Sequence, residues 1–318
     1  MKKLFLTIFI LLSLSMVVNA RECKTGDIKG DAFIFSDGKK VKVIKGTDIP
    51  DPSNKIIMIF NKGGWKVDQK WGECKDHVPK SLGQISGTKI KGKELVLMLN
   101  GRLHKAGGAD GHKCGWKFKG AFHQPWYDCL LEDWGIPKRA DVNKELINEL
   151  VSKGTPKNQI FMSGFSCGGW ATLRLTAKYM EEVGGGISLM PACFWNLSKK
   201  FKVKKNGYEK AMEKFHKKYP GMAQWRQDQI NLIKKGNAPV LIFTHPMDPF
   251  EGLTSDWMDN VPNFKRIVIS EKKTVNGKKC NLAGSEWEGP VKNFHEIDFA
   301  DCFMHYHPVI KEYIASRL

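Results

Sequence analysis

The chain lacks a second long apolar run after its first 20 residues, which argues against a protein built from several membrane-spanning helices. It also lacks a Cys-x-x-Cys pair, and this absence argues against a structural zinc site or a thioredoxin-like redox site. Internal repeats and long Ser/Gly linkers are absent too. A single soluble domain is therefore the simplest organisation that the sequence predicts.

Acidic residues are scarce relative to basic ones, since 33 Asp and Glu stand against 51 Lys and Arg and give a formal net charge of +18. A positive excess of this size favours anionic surfaces or polymers as partners. The lysines are spread along the whole chain, however, and Arg-rich clusters with interleaved aromatic residues are missing. A solvated basic surface and a polyanion-binding surface both stay open, and no specific nucleic-acid binding is expected.

The first 20 residues have the pattern of a secretory signal peptide. Two lysines give a positive start, residues 4–18 form an apolar run, and Val18-Asn19-Ala20 offers small residues for cleavage. The apolar run is shorter than the ~20 residues of a comfortable membrane span. We expect cleavage after Ala20, a mature chain of residues 21–318, and a location in the periplasm or outside the cell.

Every cysteine of the chain follows this predicted leader. The positions are Cys23, Cys74, Cys114, Cys129, Cys167, Cys193, Cys280 and Cys302. An even number of cysteines behind an export signal predicts disulfide bonds, because the periplasm and the exterior are oxidising. Many pairings are possible, and the short-range pairs Cys114–Cys129 and Cys280–Cys302 are the first candidates.

Short apolar runs alternate along the chain with segments of helical period. The predicted strands are Ala32–Phe35, Val41–Ile44, Lys55–Phe60, Glu94–Leu99, Gln159–Met162, Ile187–Met190, Val240–Thr244 and Arg266–Ser270. The predicted helices are Arg139–Ser152 and Ser166–Glu182. This alternation predicts an α/β fold in which a mostly parallel sheet carries helices on both faces. Functional groups in such sheets lie beyond the carboxyl ends of the strands.

The segment 195–236 interrupts this alternation between two predicted core strands. It is rich in lysine and contains two predicted helices, Tyr208–Tyr219 and Met222–Lys235. Its place in the chain predicts an insertion that passes over the sheet. A lid-like helical insertion that gates substrate and a solvated pair of basic helices both fit this pattern.

Gly164-Phe165-Ser166-Cys167-Gly168 matches Gly-x-Ser-x-Gly, the nucleophile elbow. The motif follows a predicted strand and opens a segment of helical period, which is the structural context that it requires. A serine on such a turn faces a histidine and lies at the positive end of the following helix. Ser166 is therefore the candidate nucleophile.

Around this motif the chain resembles the α/β-hydrolases, especially secreted esterases related to dienelactone hydrolases. The resemblance is sharpest in QIFMSGFSCGGW, residues 159–170, and follows the family's element order from about Lys55 to the C terminus. It implies the α/β-hydrolase fold, with an insertion between core strands. It also implies a Ser–Asp–His triad in that chain order, acting through an acyl-enzyme.

The resemblance places the acid after the strand that follows the insertion. Asp248 stands just past the predicted strand Val240–Thr244, where a carboxylate can hold an imidazole in the required tautomer. An ordinary Asp-Pro turn residue is the alternative interpretation of Asp248. Asp256 and Asp259 lie farther on, within the next predicted helix, and are poorer candidates.

The histidine of the triad has three candidates after Asp248, namely His295, His305 and His307. The family often places this histidine a dozen or more positions before the apolar residues of the last helix. His295 stands 15 residues before Ile310 and fits that spacing, so it is preferred. His305 and His307 nearly abut the helix and stay open.

The resemblance also implies two backbone donors for an oxyanion hole. The first is the amide of Cys167, the residue after the nucleophile. The second lies in the loop Asn61-Lys62-Gly63-Gly64-Trp65, where Gly64 is the candidate. Lys62 stands where the family commonly has histidine, and Asn100-Gly101 is a rival position for the second donor.

Together these features predict an exported serine hydrolase that acts on a small or polymeric carboxylic ester. A peptidase or amidase on the same fold is one alternative. A non-catalytic, hydrolase-like protein that binds anionic polymers is the other. His104, His112 and His123 lack metal-ligand spacing, so neither a metal nor another cofactor is expected.

Overall fold

The structure is a computed structural model that describes residues 21–22, 32–36, 41–61, 63, 83, 85–100, 136–194, 197–269, 274–275, 278–279, 294–299 and 301–318. The strands are β1 Arg21–Glu22, β2 Ala32–Ser36, β3 Val41–Lys45, β4 Lys55–Asn61, β5 Lys89–Ile90, β6 Lys93–Leu99, β7 Ile160–Phe165, β8 Gly185–Leu189, β9 Val240–Thr244, β10 Phe264–Val268, β11 Thr274–Val275 and β12 Lys278–Lys279.

The α-helices of the described residues are α1 Ile136–Ser152, α2 Cys167–Lys178, α3 Leu197–Lys200, α4 Val203–Asn206, α5 Tyr208–Lys218, α6 Pro220–Gly236 and α7 His307–Arg317. The short 3-10 helices are Pro52–Asn54, Lys157–Gln159, Met180–Glu182, Gly252–Thr254, Asp256–Asn260, Phe294–Phe299 and Asp301–Tyr306. None of the helices within the described residues is long and apolar enough to cross a membrane.

The main sheet has the strand order β1-β3-β2-β6-β4-β7-β8-β9-β10, and β5 pairs with β6 outside this path. In the part of this order that reads β6-β4-β7-β8-β9-β10, each strand pairs in parallel with the next. The remaining strands, β1, β2, β3 and β5, make antiparallel pairs. This mostly parallel arrangement, with its antiparallel strands toward one edge, is the α/β-hydrolase fold that the sequence predicts.

The apolar run of β4 shows why the sheet is buried on both faces. Ile57 and Ile59 belong to one hydrophobic core, whereas Ile56, Met58 and Phe60 belong to the core on the opposite face. Successive side chains of a strand point to opposite faces, so a strand covered on both sides needs a continuous apolar run. The runs in β6, β7 and β9 are buried in the same way.

Helices cover both faces, as the alternation of strands and helices predicts. On one face, Leu146 of α1 and Trp170 of α2 are fully buried in the first core. On the other face, Ile310 and Ile314 of α7 pack into the second core. Helix α2 begins directly after Ser166. It packs against β7 and β8 of the sheet and also contacts α6.

Several predicted boundaries differ by two to four residues from those of the structure, and two of them have a clear physical reason. The predicted helix Ser166–Glu182 ends at Lys178, because Tyr179 leaves the helical conformation (φ −121°, ψ 30°) and a 3-10 turn follows. The last core strand runs from Phe264 to Val268 rather than over 266–270, because its pairing with β9 begins at Phe264. Its residues are only partly buried at the edge of the sheet, so apolar content marks its limits poorly.

The described part of the predicted insertion, residues 197–236, is packed into the body of the protein. Phe201, Phe215, Trp225 and Ile233 join the first hydrophobic core, while most of the lysines face solvent. The movement of this segment as a lid stays a prediction.

A buried ion pair joins α6 to the loop after β9. Arg226 donates from Nε to Glu251 Oε1 at 3.1 Å and from Nη2 to Glu251 Oε2 at 2.8 Å. Nη2 also donates to the carbonyl of Thr254 at 3.0 Å, and the Thr254 hydroxyl donates to Glu251. Burial acts to lower the pKa of Arg226, but the Glu251 carboxylate outweighs it and raises that pKa above its ordinary value.

Removal of one partner of this pair will leave a buried charge without compensation. We expect Glu251→Ala to lower the free energy of unfolding by about 3–5 kcal/mol, measured by urea denaturation followed by tryptophan fluorescence. The control Glu209→Ala removes an exposed carboxylate of α5. This substitution should change the free energy of unfolding by less than about 0.5 kcal/mol. Equal effects of the two substitutions would contradict the structural role of the buried pair.

Candidate active site

The structure brings Ser166, His295 and Asp248 into one chain of hydrogen bonds. His295 Nε2 lies 2.8 Å from Ser166 Oγ, and His295 Nδ1 lies 2.9 Å from Asp248 Oδ2. The serine is 129 residues from the histidine in sequence, so only the fold brings them together. This is the order nucleophile, base and acid that a serine hydrolase uses.

Ser166 lies on the turn between β7 and α2 in an unusual backbone conformation. Its φ of 56° and ψ of −122° fall in a region that non-glycine residues rarely adopt, at a cost of about 1–3 kcal/mol. The turn is held because the Ser166 N–H donates to the Leu189 carbonyl at 3.0 Å. The Ser166 carbonyl accepts from the amides of Trp170 at 2.9 Å and Ala192 at 3.0 Å.

The elbow needs glycine because backbone segments approach it closely. A Cβ atom on Gly164 would lie 2.5 Å from the carbonyl oxygen of Gly168 and 2.7 Å from that of Asn61. A Cβ atom on Gly169 would lie 2.7 Å from the Leu189 carbonyl oxygen. These distances explain in physical terms why the sequence motif surrounds the serine with small residues.

Asp248 follows β9 in a tight turn that orients its carboxylate. Its N–H donates to the His245 carbonyl at 3.0 Å, and its Oδ1 accepts the Phe250 N–H at 2.8 Å. The second oxygen, Oδ2, faces His295. The rival carboxylates Asp256 and Asp259 instead form ion pairs with Arg266 at the surface.

His295 lies in the 3-10 helix Phe294–Phe299, with its ring between two aromatic side chains. The ring centroids of Phe165 and Phe250 lie 5.0 Å and 4.3 Å from that of the imidazole. His295 is buried and only 5% exposed, so packing as well as hydrogen bonding fixes the orientation of its ring. His305 lies in the next 3-10 helix and His307 opens α7, and neither forms a hydrogen bond with Ser166.

A second buried histidine, His245, was not singled out from the sequence. Its Nδ1 accepts the Met247 N–H at 3.0 Å, and its ring stacks on Phe294 with a centroid distance of 4.1 Å. Burial lowers the pKa of His245 to about 4, although the nearby Asp248 carboxylate acts in the opposite direction. His245 is therefore neutral near pH 7 and supports, by stacking, the residue that precedes His295.

The predicted oxyanion donors are placed in part. Cys167 opens α2, where helix N-termini present unpaired amides and a positive field. Gly64 and Lys62 lie outside the described residues, so the role of Gly64 stays a prediction. Their neighbour Gly63 is described, and a Cβ atom on it would lie 3.0 Å from Ser166 Cβ. Gly63, two residues after β4, thus lies against the elbow.

Three buried asparagines, whose mutual contacts the sequence does not predict, link the strand ends near the elbow. Asn100 Nδ2 donates to Asn143 Oδ1 at 2.9 Å, and Asn143 Nδ2 donates to Asn61 Oδ1 at 2.8 Å. Asn61 Nδ2 then donates to the Ser163 carbonyl at 3.1 Å. This connected amide network ties the ends of β4 and β6 to α1 and β7. The polar residue Asn143, on the otherwise apolar buried face of α1, was the available signal.

The structure contains a disulfide between Cys167 and Cys193, whose Cα atoms are 4.4 Å apart. Disulfide bonding is expected from the sequence, but this pair is not one of the short-range candidates. Cys114, Cys129 and Cys280 lie outside the described residues, as does the side chain of Cys302. His104, His112 and His123 lie outside them as well.

One family model matches part of the chain. Residues 127–218 match the model of the phospholipase/carboxylesterase family, and this range contains the elbow. None of the curated proteins matches the chain.

Several solved structures are similar to the chain at low identity. A post-proline cleaving enzyme from Rickettsia typhi is 13% identical, with a TM-score of 0.43, over 94% of this chain and 38% of its own. Est1E from Butyrivibrio proteoclasticus is 13% identical, with a TM-score of 0.40, over 91% of this chain and 97% of its own. A phospholipase/carboxylesterase from Dyadobacter fermentans is 14% identical, with a TM-score of 0.34, over 79% of this chain and 90% of its own. The chain thus spans about two fifths of the length of the first of these proteins.

The lowered pKa of His245 predicts a pH-dependent stability. The unfolded chain binds a proton on this residue below about pH 6.5, whereas the folded chain does so only below about pH 4. The contribution of neutral His245 is therefore complete above pH 6.5 and is lost as the pH falls toward 4. Between pH 7 and pH 4.5, the free energy of unfolding should fall by about 2 kcal/mol less in His245→Asn than in the unmodified chain. Urea denaturation at both pH values measures this difference.

The matched control is His216→Asn, which replaces an exposed histidine of α5. In this variant, the change in the free energy of unfolding between pH 7 and pH 4.5 should equal that of the unmodified chain. If His245→Asn also leaves that difference unchanged, burial of a neutral His245 does not govern the acid sensitivity.

Proposed function

We propose that this member of the α/β-hydrolase superfamily is an exported serine hydrolase that cleaves carboxylic esters. The observation that carries the proposal is the hydrogen-bond chain from Ser166 Oγ through His295 to Asp248, built on a strained elbow. The match of residues 127–218 to the phospholipase/carboxylesterase family supports an ester substrate.

In the first step, the Ser166 hydroxyl gives its proton to His295 Nε2 as Oγ attacks the ester carbonyl carbon. The 2.8 Å separation of these atoms is within direct hydrogen-bond reach. His295 Nδ1 donates to Asp248 Oδ2, which keeps Nε2 free to accept the proton. The carboxylate then stabilises the imidazolium ion that forms.

The attack converts the carbonyl oxygen into an oxyanion that needs hydrogen-bond donors. The Cys167 N–H, at the positive end of α2, supplies one donor, and Gly64 is the proposed second donor. Collapse of the intermediate transfers the proton from His295 to the leaving alcohol and leaves an acyl group on Ser166. Water, activated by His295, releases this group and restores the serine.

The proposal includes export of the mature chain, residues 21–318, to an oxidising compartment. The N-terminal leader pattern supports it, as does the buried Cys167–Cys193 disulfide, because such bonds are rare in reducing compartments. A triad of this geometry also serves amide substrates. For this reason, the chain should be assayed with an ester and with the corresponding anilide.

Ser166→Ala will test the nucleophile in the mature chain. We expect hydrolysis of p-nitrophenyl butyrate to fall by at least about 10⁴-fold, and covalent labelling by a fluorophosphonate to disappear. Ser152→Ala removes an exposed serine of α1 and should retain both activities. A folded wild-type chain that neither hydrolyses esters or anilides nor accepts the label would refute catalysis and leave anionic-polymer binding as the alternative.

Asp248→Asn will test the acid. An amide in place of the carboxylate no longer favours the tautomer with hydrogen on His295 Nδ1, so kcat should fall by about 10³- to 10⁴-fold. KM should change little because the carboxylate is buried away from substrate. Asp256→Asn alters a surface carboxylate and serves as the control. Similar kcat values for the two variants would remove Asp248 from the mechanism.

A further inference from the structure

The Cys167–Cys193 disulfide joins the residue after the proposed nucleophile to the segment that follows the neighbouring strand. Cys167 is the first residue of α2, and Cys193 lies four residues beyond the end of β8. Both side chains are buried. The bond therefore ties together two backbone segments that leave β7 and β8 at the same edge of the sheet.

Ala192, next to Cys193, approaches the reactive hydroxyl directly. Its carbonyl oxygen lies 3.4 Å from Ser166 Oγ, and its N–H donates to the Ser166 carbonyl at 3.0 Å. The Ser166 hydroxyl thus faces two acceptors, the Ala192 carbonyl and His295 Nε2 at 2.8 Å. Only donation to His295 activates the serine, so a shift of Ala192 toward Oγ would compete with catalysis.

The same segment restrains the strained backbone of the elbow. Ser166 accepts from Ala192 and donates to the Leu189 carbonyl, and Met190 between them is itself left-handed, with φ 42°. Backbone conformations of this kind persist only where the surrounding structure holds them. Hydrogen bonds supply part of that restraint. The disulfide adds a covalent link between Cys167, the residue after Ser166, and Cys193, the residue after Ala192.

We infer that Cys193 is a positioning residue that, through its disulfide to Cys167, holds the oxyanion donor and the reactive serine in catalytic geometry. The inference rests on the proposed function, in which the Cys167 N–H binds the oxyanion. Catalytic groups must be held to within about 0.5 Å of their productive positions, so a small relaxation of this turn lowers the rate.

The consequence is that full activity requires an oxidised Cys167–Cys193 pair. The bond forms by exchange with a disulfide compound or disulfide oxidoreductase of the compartment. The two protein thiols lose two protons and two electrons and form the S–S bond, while the partner disulfide is cleaved to two thiols. The active site would then be complete only after export, because the bond forms in the oxidising compartment.

The test compares the mature wild type with the double variant Cys167→Ala/Cys193→Ala. We expect kcat for p-nitrophenyl butyrate to fall by about 10- to 100-fold, with KM within about threefold of wild type. Affinity for a trifluoromethyl ketone, which forms an oxyanion on the serine, should fall in parallel. Cys167→Ser/Cys193→Ser keeps more side-chain volume and replaces the alanine variant if that variant does not fold.

Tyr313→Phe is the matched control for a general loss of stability. The Tyr313 hydroxyl donates to the Pro239 carbonyl at 2.8 Å and accepts from the Gly186 N–H at 3.2 Å, near the opposite end of β8. This variant should lower the thermal midpoint without changing kcat or ketone affinity. A double variant that behaves in the same way would show that the disulfide is only structural and would overturn the inference.

Amide exchange of the peptide covering residues 163–170, followed by mass spectrometry, tests the same restraint without enzyme activity. Exchange should be faster in the double variant and unchanged in Tyr313→Phe. Equal exchange in all three proteins would overturn the inference even if the wild type is an active esterase. Faster exchange in the double variant of a chain that hydrolyses no substrate would support the restraint while refuting the proposed function.

Discussion

The backbone of Ser166 is the constraint on which the site depends. A serine with φ 56° and ψ −122° is held in this conformation by hydrogen bonds to Leu189 at the end of β8 and to Ala192 after it. Glycines at 164 and 169 leave room for neighbouring carbonyl groups that a Cβ atom would displace. The strain is thus local, but its restraint comes from strands and loops far away in sequence. The Ser166 hydroxyl owes its position to that combination.

The parallel sheet explains how these distant residues meet. The strands β7, β8 and β9 run side by side in the same direction, so the turns after them emerge at one edge. The turn after β7 carries Ser166, the segment after β8 carries Ala192, and the turn after β9 carries Asp248. His295 reaches the same edge from a later segment and is fixed there by packing between Phe165 and Phe250.

The sequence predicts those features that depend on local pattern. The apolar runs of β4 and β9 and the elbow at Ser166 are local, and their positions were identified within one or two residues. Asp248 was selected from its place after a strand and His295 from a family spacing, and the structure brings both to Ser166. The Asn61–Asn143 contact and the Cys167–Cys193 bond span 82 and 26 residues, and no periodicity specifies such partners.

The two buried histidines beside Asp248 show how geometry, rather than proximity alone, assigns the carboxylate to one of them. His245 uses Nδ1 to accept the Met247 N–H, so the hydrogen of its neutral ring is on Nε2. His295 faces Asp248 with Nδ1, so its hydrogen is on Nδ1 and Nε2 is left to accept from Ser166. Since burial lowers the pKa of His245 to about 4, it stays neutral and does not compete for the charge of Asp248. The carboxylate can then stabilise positive charge on His295, the imidazole that contacts the serine.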